Sequence, residues 1–126
     1  MKKTAAELAG YLKRITGANF AIAETGMIAL TENEGNIRLS FSMPKIHIAI
    51  VGIEKLVEKF EDAFPILSAL PKSATAQLIT SYVTIITGAV PNLDGSPKNL
   101  HIILMDNQRK EMAADPLFRE ALQCIR

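Results

Sequence analysis

The sequence lacks most of the features that would place it in a specialised class of proteins. No apolar run approaches the roughly 18 residues that a membrane-spanning helix needs. A single cysteine, Cys124, excludes an internal disulfide framework and fits a reducing compartment. Lysine and arginine number 14 against 13 acidic residues, a net charge of +1 that gives no reason to expect a nucleic-acid partner. We therefore expect a cytoplasmic protein with no transmembrane segment and no nucleic-acid partner.

Self-sufficient catalytic motifs are absent as well. The chain contains no dinucleotide fingerprint (G-x-G-x-x-G), no P-loop (G-x-x-x-x-G-K-[ST]) and no nucleophile elbow (G-x-S-x-G). Its two histidines and one cysteine lie far apart and show no metal-site spacing. From the residues alone, the catalytic residues stay unknown and enzymatic activity stays uncertain.

The patterns that are present predict a single domain of the α/β class. The chain has 126 residues, of which 48% are hydrophobic, enough to bury a core. Apolar spacing and turn residues predict helices over 4–15, from 53 to 64 and from Asp115-Pro116 onward, and strands over 20–23, 27–30, 37–41, 46–51, 81–87 and 100–105. Strands 46–51 and 100–105 are almost continuously apolar, which is typical of strands buried on both faces. We expect a mostly parallel sheet with flanking helices, to which an antiparallel hairpin at 20–30 can be added.

One short turn has the composition of a site. Glu24-Thr25-Gly26 connects two predicted strands, and a carboxylate there could act as a nucleophile or base. Turn chemistry explains the same residues, with Gly26 at a positive φ and Glu24 in solvent, and it is the favoured interpretation.

Other candidates are scattered along the chain. His47 and His101 interrupt apolar strands, where a satisfied core histidine is a better expectation than a ligand or a base. Thr87 and Gly88 close a strand that we expect to be parallel, and the carboxyl ends of such strands are where open α/β sheets bind ligands. Basic residues that could bind a small carboxylate or phosphate, against the simpler interpretation that they are solvated, are Arg38, Lys45 and Lys72.

A set of segments in the same order resembles the LUD (lactate utilisation) domain family. Nearly the whole chain is covered by these segments, which are 16–26, 33–36, Arg38, 44–49, 52–55, 70–75, 80–82, 86–88, 106–107, 114–116, 118–122 and 124–126. The fold of this family is similar to that of CoA transferases, ribose-5-phosphate isomerase and glucosamine-6-phosphate deaminase. The resemblance therefore implies the same α/β class, and it implies that residues 1–126 are part of a LUD domain.

The segment Cys124-Ile125-Arg126 resembles the iron–sulfur branch of that family, in which it opens a ferredoxin-like cysteine run. By this resemblance Cys124 is the first ligand of a [4Fe–4S] cluster in a longer protein, whose cluster region follows residue 126. No cofactor is expected in the present chain.

The resemblance implies a component of an L-lactate oxidation complex, in which clusters carry electrons while lactate becomes pyruvate. The other subunits of the complex are then the expected partners, with a small carboxylate as a further candidate. Two alternatives stay open: a module that binds a hydroxy acid, a phosphosugar or a CoA ester, and a non-catalytic scaffold. On the ligand-binding alternative, the candidate residues are Glu24, Thr25, Gly26, Arg38, Thr87 and Gly88.

Overall fold

The computed structural model describes residues 13–89, 91 and 95–123. Within these residues the strands are β1 (Lys13–Gly17), β2 (Phe20–Ile22), β3 (Met27–Glu32), β4 (Ile46–Gly52), β5 (Leu56–Val57), β6 (Tyr82–Ile86) and β7 (Asn99–Met105). The α-helices are α1 (Asn36–Ser42), α2 (Ala63–Thr75), α3 (Arg109–Ala114) and α4 (Pro116–Arg119), with 3₁₀ turns at Ile53–Lys55 and Glu120–Gln123.

The strands form two sheets, whose members alternate along the chain. Sheet A is fully parallel, with the order β1-β4-β7. Sheet B has the order β5-β2-β3-β6, in which β2–β3 and β3–β6 are antiparallel and β2–β5 is parallel. The expected α/β class, with a parallel sheet and flanking helices, is confirmed, and so is the antiparallel hairpin formed by β2 and β3.

The main core lies between the two sheets. Strand β4 alternates strictly, so that His47, Ala49 and Val51 point inward and are buried. They belong to the face that meets Ile28 and Leu30 of sheet B, which are also fully buried. A second cluster packs the opposite face of sheet B against α2. The order of layers is therefore sheet A, sheet B, α2.

The outer face of sheet A is apolar, and the described residues leave much of it exposed. Strand register assigns to this face Ile15, Ile46, Ile48, Ile50, His101, Ile103 and Met105. Ile15 is 61% exposed and Ile103 is 49% exposed. Strand β7 was thus predicted correctly, but its expected burial on both faces is wrong, and His101 is exposed rather than a core histidine.

Residues 37–41 were predicted as a strand and form helix α1 instead. The carboxylate of Glu32, which is 6% exposed, accepts the backbone N–H groups of Ile37 (2.6 Å) and Arg38 (3.2 Å). These groups lie in the first helical turn, where N–H donors have no intrahelical acceptor. Ile37 and Phe41, one turn apart, both pack on the main core. The spacing of Ile37 and Phe41 therefore marks one face of a helix rather than one face of a strand.

Two helix predictions fail next to parallel strands. The helix over 4–15 lies mostly outside the described residues, but its last residues belong to β1, which pairs with β4. The helix expected directly after β4 is replaced by a 3₁₀ turn and by β5, which pairs with β2, so that the helix begins only at Ala63. Pro65 then falls in the first turn of α2, where a proline costs no hydrogen bond. Tertiary strand pairing overrides local periodicity in both places.

The carboxyl-terminal prediction is confirmed locally. Asp115 caps α4, since its Oδ1 accepts the N–H of Leu117 at 2.8 Å, and Pro116 is the first helical residue. The sequence pattern did not predict α3, which precedes it.

Candidate functional site

A pocket opens where α1, the inner face of sheet A and the end of β6 meet. We call it the His47–Lys98 pocket, and its volume is about 80 Å³. The residues that line it are Phe41, His47, Ile85, Ile86, Thr87, Gly88, Ala89, Lys98 and Leu100. It joins two predicted candidates, the Thr87-Gly88 pair and His47, that are distant in sequence.

His47 forms the buried part of this pocket. Its side chain is 1% exposed, and its Nε2 lies 2.7 Å from the hydroxyl oxygen of Thr16 on β1, a hydrogen-bond distance. The ring of Phe41 stacks on the imidazole with centroids 6.0 Å apart. Burial, and secondarily the charge of Lys98, lower the pKa of His47, so the imidazole is neutral near pH 7. The expected core histidine is thus confirmed for His47, and Thr16 is the partner that the sequence did not reveal.

Lys98 brings a positive charge to the rim of the pocket. Its Nζ lies 5.4 Å from the centroid of the Phe41 ring, within the range of a cation–π contact. Burial lowers the pKa of this ammonium group. Lys98 was not among the residues predicted from the sequence. Its position directly before an apolar strand was the only available signal, because the partners that define the pocket come from α1, β4 and β6.

A second, more open concavity follows the carboxyl ends of β1, β4 and β7. We call it the carboxyl-edge cleft, and its volume is about 350 Å³. The lining includes Gly17, Gly52, Glu54, Lys55 and Met105. This is the edge at which open parallel sheets bind ligands.

Thr87 and Gly88 do not belong to that edge. Their strand, β6, is antiparallel to β3 and lies in sheet B, so the expectation that they follow a parallel strand is wrong. The apolar composition of β6 predicted a strand correctly, but it carried no information about the partner strand. The two residues instead line the His47–Lys98 pocket.

Glu54 is held at the carboxyl-edge cleft by two contacts. Its carboxylate folds back against Gly52, where a Cβ atom would collide with it. Its Oε2 lies 3.8 Å from Nε of Arg109, the first residue of α3. The structure therefore places one carboxylate, in contact with one guanidinium, at this edge.

The Glu24-Thr25-Gly26 turn has the geometry that turn chemistry requires. Gly26 has φ +69°, and its N–H donates to the carbonyl of Ile22 at 2.9 Å. Glu24 is exposed, and the hydroxyl of Thr25 accepts the N–H of Met27 at 3.3 Å. Local bonds thus explain the turn, while ligand binding by these three residues stays a prediction.

The remaining predicted residues lie apart from both concavities. Arg38 is exposed on α1, and its guanidinium carbon lies 5.1 Å from the centroid of the Tyr82 ring. Lys45 and Lys72 are exposed, and the latter lies near the end of α2. The structure therefore does not gather the three cations into one anion site.

Cys124 lies outside the described residues. Among the residues that are described, no three histidine, cysteine, aspartate or glutamate side chains are grouped as metal ligands would be. A [4Fe–4S] cluster of the ferredoxin type is held by four thiolates, and this sequence can supply one of them. No helix in the described ranges is long and apolar enough to cross a membrane.

These features define an α/β protein with a parallel sheet, an apolar pocket and an open strand-end cleft. The family described as "LUD domain" matches residues 4–105, so the chain belongs to the LUD-domain family.

Several curated proteins are similar to most of the chain. It is 45% identical over 115 residues to "Lactate utilization protein B" of Shouchella clausii, and 43% identical over 115 residues to the Bacillus subtilis protein of that name. It is 41% identical over 114 residues to "Uncharacterized electron transport protein YkgF" of Escherichia coli. Each match covers 89% of this chain but only 23% or 24% of the relative. The chain therefore spans about a quarter of the length of these relatives.

A solved structure supports the fold alone. The crystal structure of a DUF162 family protein from Deinococcus radiodurans superposes with a TM-score of 0.56 at 20% identity. The match covers 80% of this chain and 58% of the other.

Proposed function

We propose that this chain is the LUD-domain part of a longer cytoplasmic protein that carries electrons during lactate utilisation. The observation that supports the proposal is the identity of 41% to 45% with relatives named for lactate utilisation or electron transport. In this proposal the longer protein works with other subunits of an L-lactate oxidation complex. The LUD domain supplies a docking scaffold or a small-molecule site beside the electron carrier.

The proposed electron carrier is a [4Fe–4S] cluster, with Cys124 as its first thiolate ligand. The chain itself has one cysteine, and in this proposal the other thiolates are supplied by polypeptide that follows residue 126. The proposal fails if the gene continues after Arg126 without cysteines at C-x₂-C spacing.

The decisive experiment uses the full-length protein, purified without oxygen. Cys124→Ser should lower the iron content and weaken or alter the electron paramagnetic resonance signal of one cluster, because the iron atom that this thiolate holds loses its protein ligand. Gln123→Ser, at the adjacent position, is the matched control and should keep both. Cells that carry Cys124→Ser should grow poorly on lactate, whereas cells that carry Gln123→Ser should grow like wild type. Equal iron and equal growth for both variants would refute the role of Cys124.

Two other functions are compatible with a LUD domain. A small-molecule module would bind a hydroxy acid, a phosphosugar or a CoA ester, and the His47–Lys98 pocket is an observation that favours the hydroxy acid, the smallest of the three. A non-catalytic scaffold would tolerate Glu24→Ala and Arg38→Ala in the same growth assay, because both side chains are exposed and lie on different elements. A growth defect in a folded Glu24 or Arg38 variant would exclude the pure scaffold.

A further inference from the structure

The His47–Lys98 pocket combines an apolar wall with one cation. Phe41, Ile86 and Leu100 supply apolar surface, and Lys98 supplies the positive charge. The volume of about 80 Å³ is smaller than the roughly 150 Å³ cavity that accepts benzene. The body of a ligand with a few carbon atoms fits within this space, whereas a phosphosugar or the body of CoA would extend outside it.

Lys98 is suited to pairing with an anion. Among the described residues no carboxylate lies within 4 Å of its ammonium group, which lies over the face of the Phe41 ring. A partly desolvated cation without a counterion gains from an anion that enters beside it. One ammonium matches one carboxylate, while a phosphate dianion would need further donors.

The imidazole of His47 is fixed at the base of the same pocket. The hydrogen bond to Thr16 and the stacked ring of Phe41 hold its orientation. With a neutral imidazole, Lys98 carries the one charge among the described lining residues, so this part of the pocket has a charged rim and an uncharged interior. That polarity matches an amphipathic acid that enters carbon chain first.

We propose that the His47–Lys98 pocket binds a small monocarboxylate, with Lys98 pairing with the carboxylate and the short carbon chain packing against Phe41 and Leu100. Three-carbon acids, such as lactate and pyruvate, are the size class that the pocket admits. The proposed function in lactate use contributes only the choice of these two acids as the first probes, and the pocket geometry carries the rest.

The test follows the two histidine rings of the 126-residue chain by nuclear magnetic resonance. His47 lines the pocket, while His101 lies on the outer face of sheet A and serves as an internal reference. Lactate, pyruvate and propionate should each shift the His47 ring signals saturably at constant pH and ionic strength, and His101 should not follow. Phosphate, sulfate and coenzyme A, added at the same concentrations, should not saturate the His47 shift.

Variants at Lys98 test the proposed ion pair. Lys98→Met should weaken binding by about tenfold or more, since a hydrogen bond to a charged group contributes about 1.5–3 kcal/mol. Lys98→Arg should keep most of the affinity, and Lys72→Met, at an exposed lysine on α2, should leave it unchanged. If Lys98→Met does not fold, the wild-type titrations and Lys98→Arg still decide the question.

The outcomes separate this inference from the proposed function. Three results would each overturn the monocarboxylate site. They are equal shifts of the His47 and His101 ring signals, an unchanged affinity in Lys98→Met, and binding of phosphate or coenzyme A that is tighter than binding of lactate or pyruvate. None of these results affects the iron content of the full-length Cys124 variants. Conversely, if the iron measurements refute the role of Cys124, the proposed binding of carboxylates by this pocket is unaffected.

Discussion

His47 is buried next to an ammonium group, and both conditions act on its imidazole in the same direction. Each disfavours the protonated ring, so the pKa of His47 lies below that of an ordinary histidine. In the unfolded chain the same residue titrates near 6.5. Between these two values the unfolded chain binds more protons than the folded one, so lowering the pH through this window destabilises the fold. Above about pH 6.5 the ring is neutral in both states, so the fold keeps the full stability that protonation of His47 would remove.

We therefore expect the free energy of unfolding to fall as the pH drops below about 6.5, with part of the slope due to His47. Urea titrations across this range measure the slope, and His47→Gln should reduce it. Because a substitution at a buried residue can itself unfold the protein, a ring titration of folded wild type is the companion measurement. A midpoint for His47 at or above about 6.5 would contradict the assignment.

At the scale of elements, helix α2 ends in a conformation that does not suit its residue. Ala76 has φ +57° and donates its N–H to the carbonyl of Lys72 at 3.1 Å, and Gln77 donates to the carbonyl of Pro71 at 3.3 Å. This left-handed cap is a position that glycine adopts without the steric cost that alanine pays. The cap closes the helix but stores strain in one residue.

Ala76→Gly should raise the free energy of unfolding by about 0.5–1 kcal/mol, because relief of left-handed strain exceeds the added entropy of the unfolded chain. Ala69→Gly, at an exposed position inside the same helix, is the matched control and should lower it by about 1 kcal/mol. Chemical denaturation of both variants measures whether each substitution raises or lowers the free energy of unfolding. Destabilisation by both substitutions would show that the cap is not strained.

The elements also show what the sequence can predict. The β2–β3 hairpin, the strands β4, β6 and β7, and the Asp115 cap follow from nearby residues, and all were predicted. Two failures share one cause, which is dependence on a distant partner: β4 pairs with residues 13–17 as β1, and β2 recruits residues 56 and 57 as a strand. Helix α1 is a different case, because Glu32, which binds its first turn, lies only a few residues before it.

The same limit applies to the candidate site. The sequence predicted His47 as a satisfied core residue and marked Thr87 and Gly88, yet it could not bring them together. Thr16, which lies 31 residues before His47, and Lys98 entered the site only through the pairing of β1, β4 and β7.

At the scale of the whole molecule, the outer face of sheet A is unusual because it is apolar and exposed. Parallel sheets are normally covered on both faces. The described residues leave the outer face open, and on the inner face they cover β4 but leave Ile102 and Leu104 of β7 38% and 52% exposed. Ile15, Ile103 and Met105 are 61%, 49% and 46% exposed, and they adjoin three isoleucines of β4. A continuous apolar face of this kind favours association.

We expect the isolated chain to self-associate and to bind a hydrophobic dye through this face. Light scattering coupled to size-exclusion chromatography should show a mass that rises with concentration. Ile103→Lys should lower both the mass and the dye signal. Leu78→Lys, at an apolar residue that is 81% exposed after α2, should change neither. A wild-type chain that stays monomeric and dye-free at its highest attainable concentration would contradict the expectation.

The alternation of the two sheets along the chain has a consequence for folding. β1 belongs to sheet A, β2 and β3 to sheet B, β4 to sheet A, β5 and β6 to sheet B, and β7 to sheet A again. Only the β2–β3 hairpin can form from neighbouring residues, whereas sheet A requires two long loop closures, which are slow steps. Neither sheet can be cut out as a continuous piece of chain. We therefore expect the two sheets to fold as one cooperative unit, in which the hairpin forms early and the docking of β7 completes sheet A.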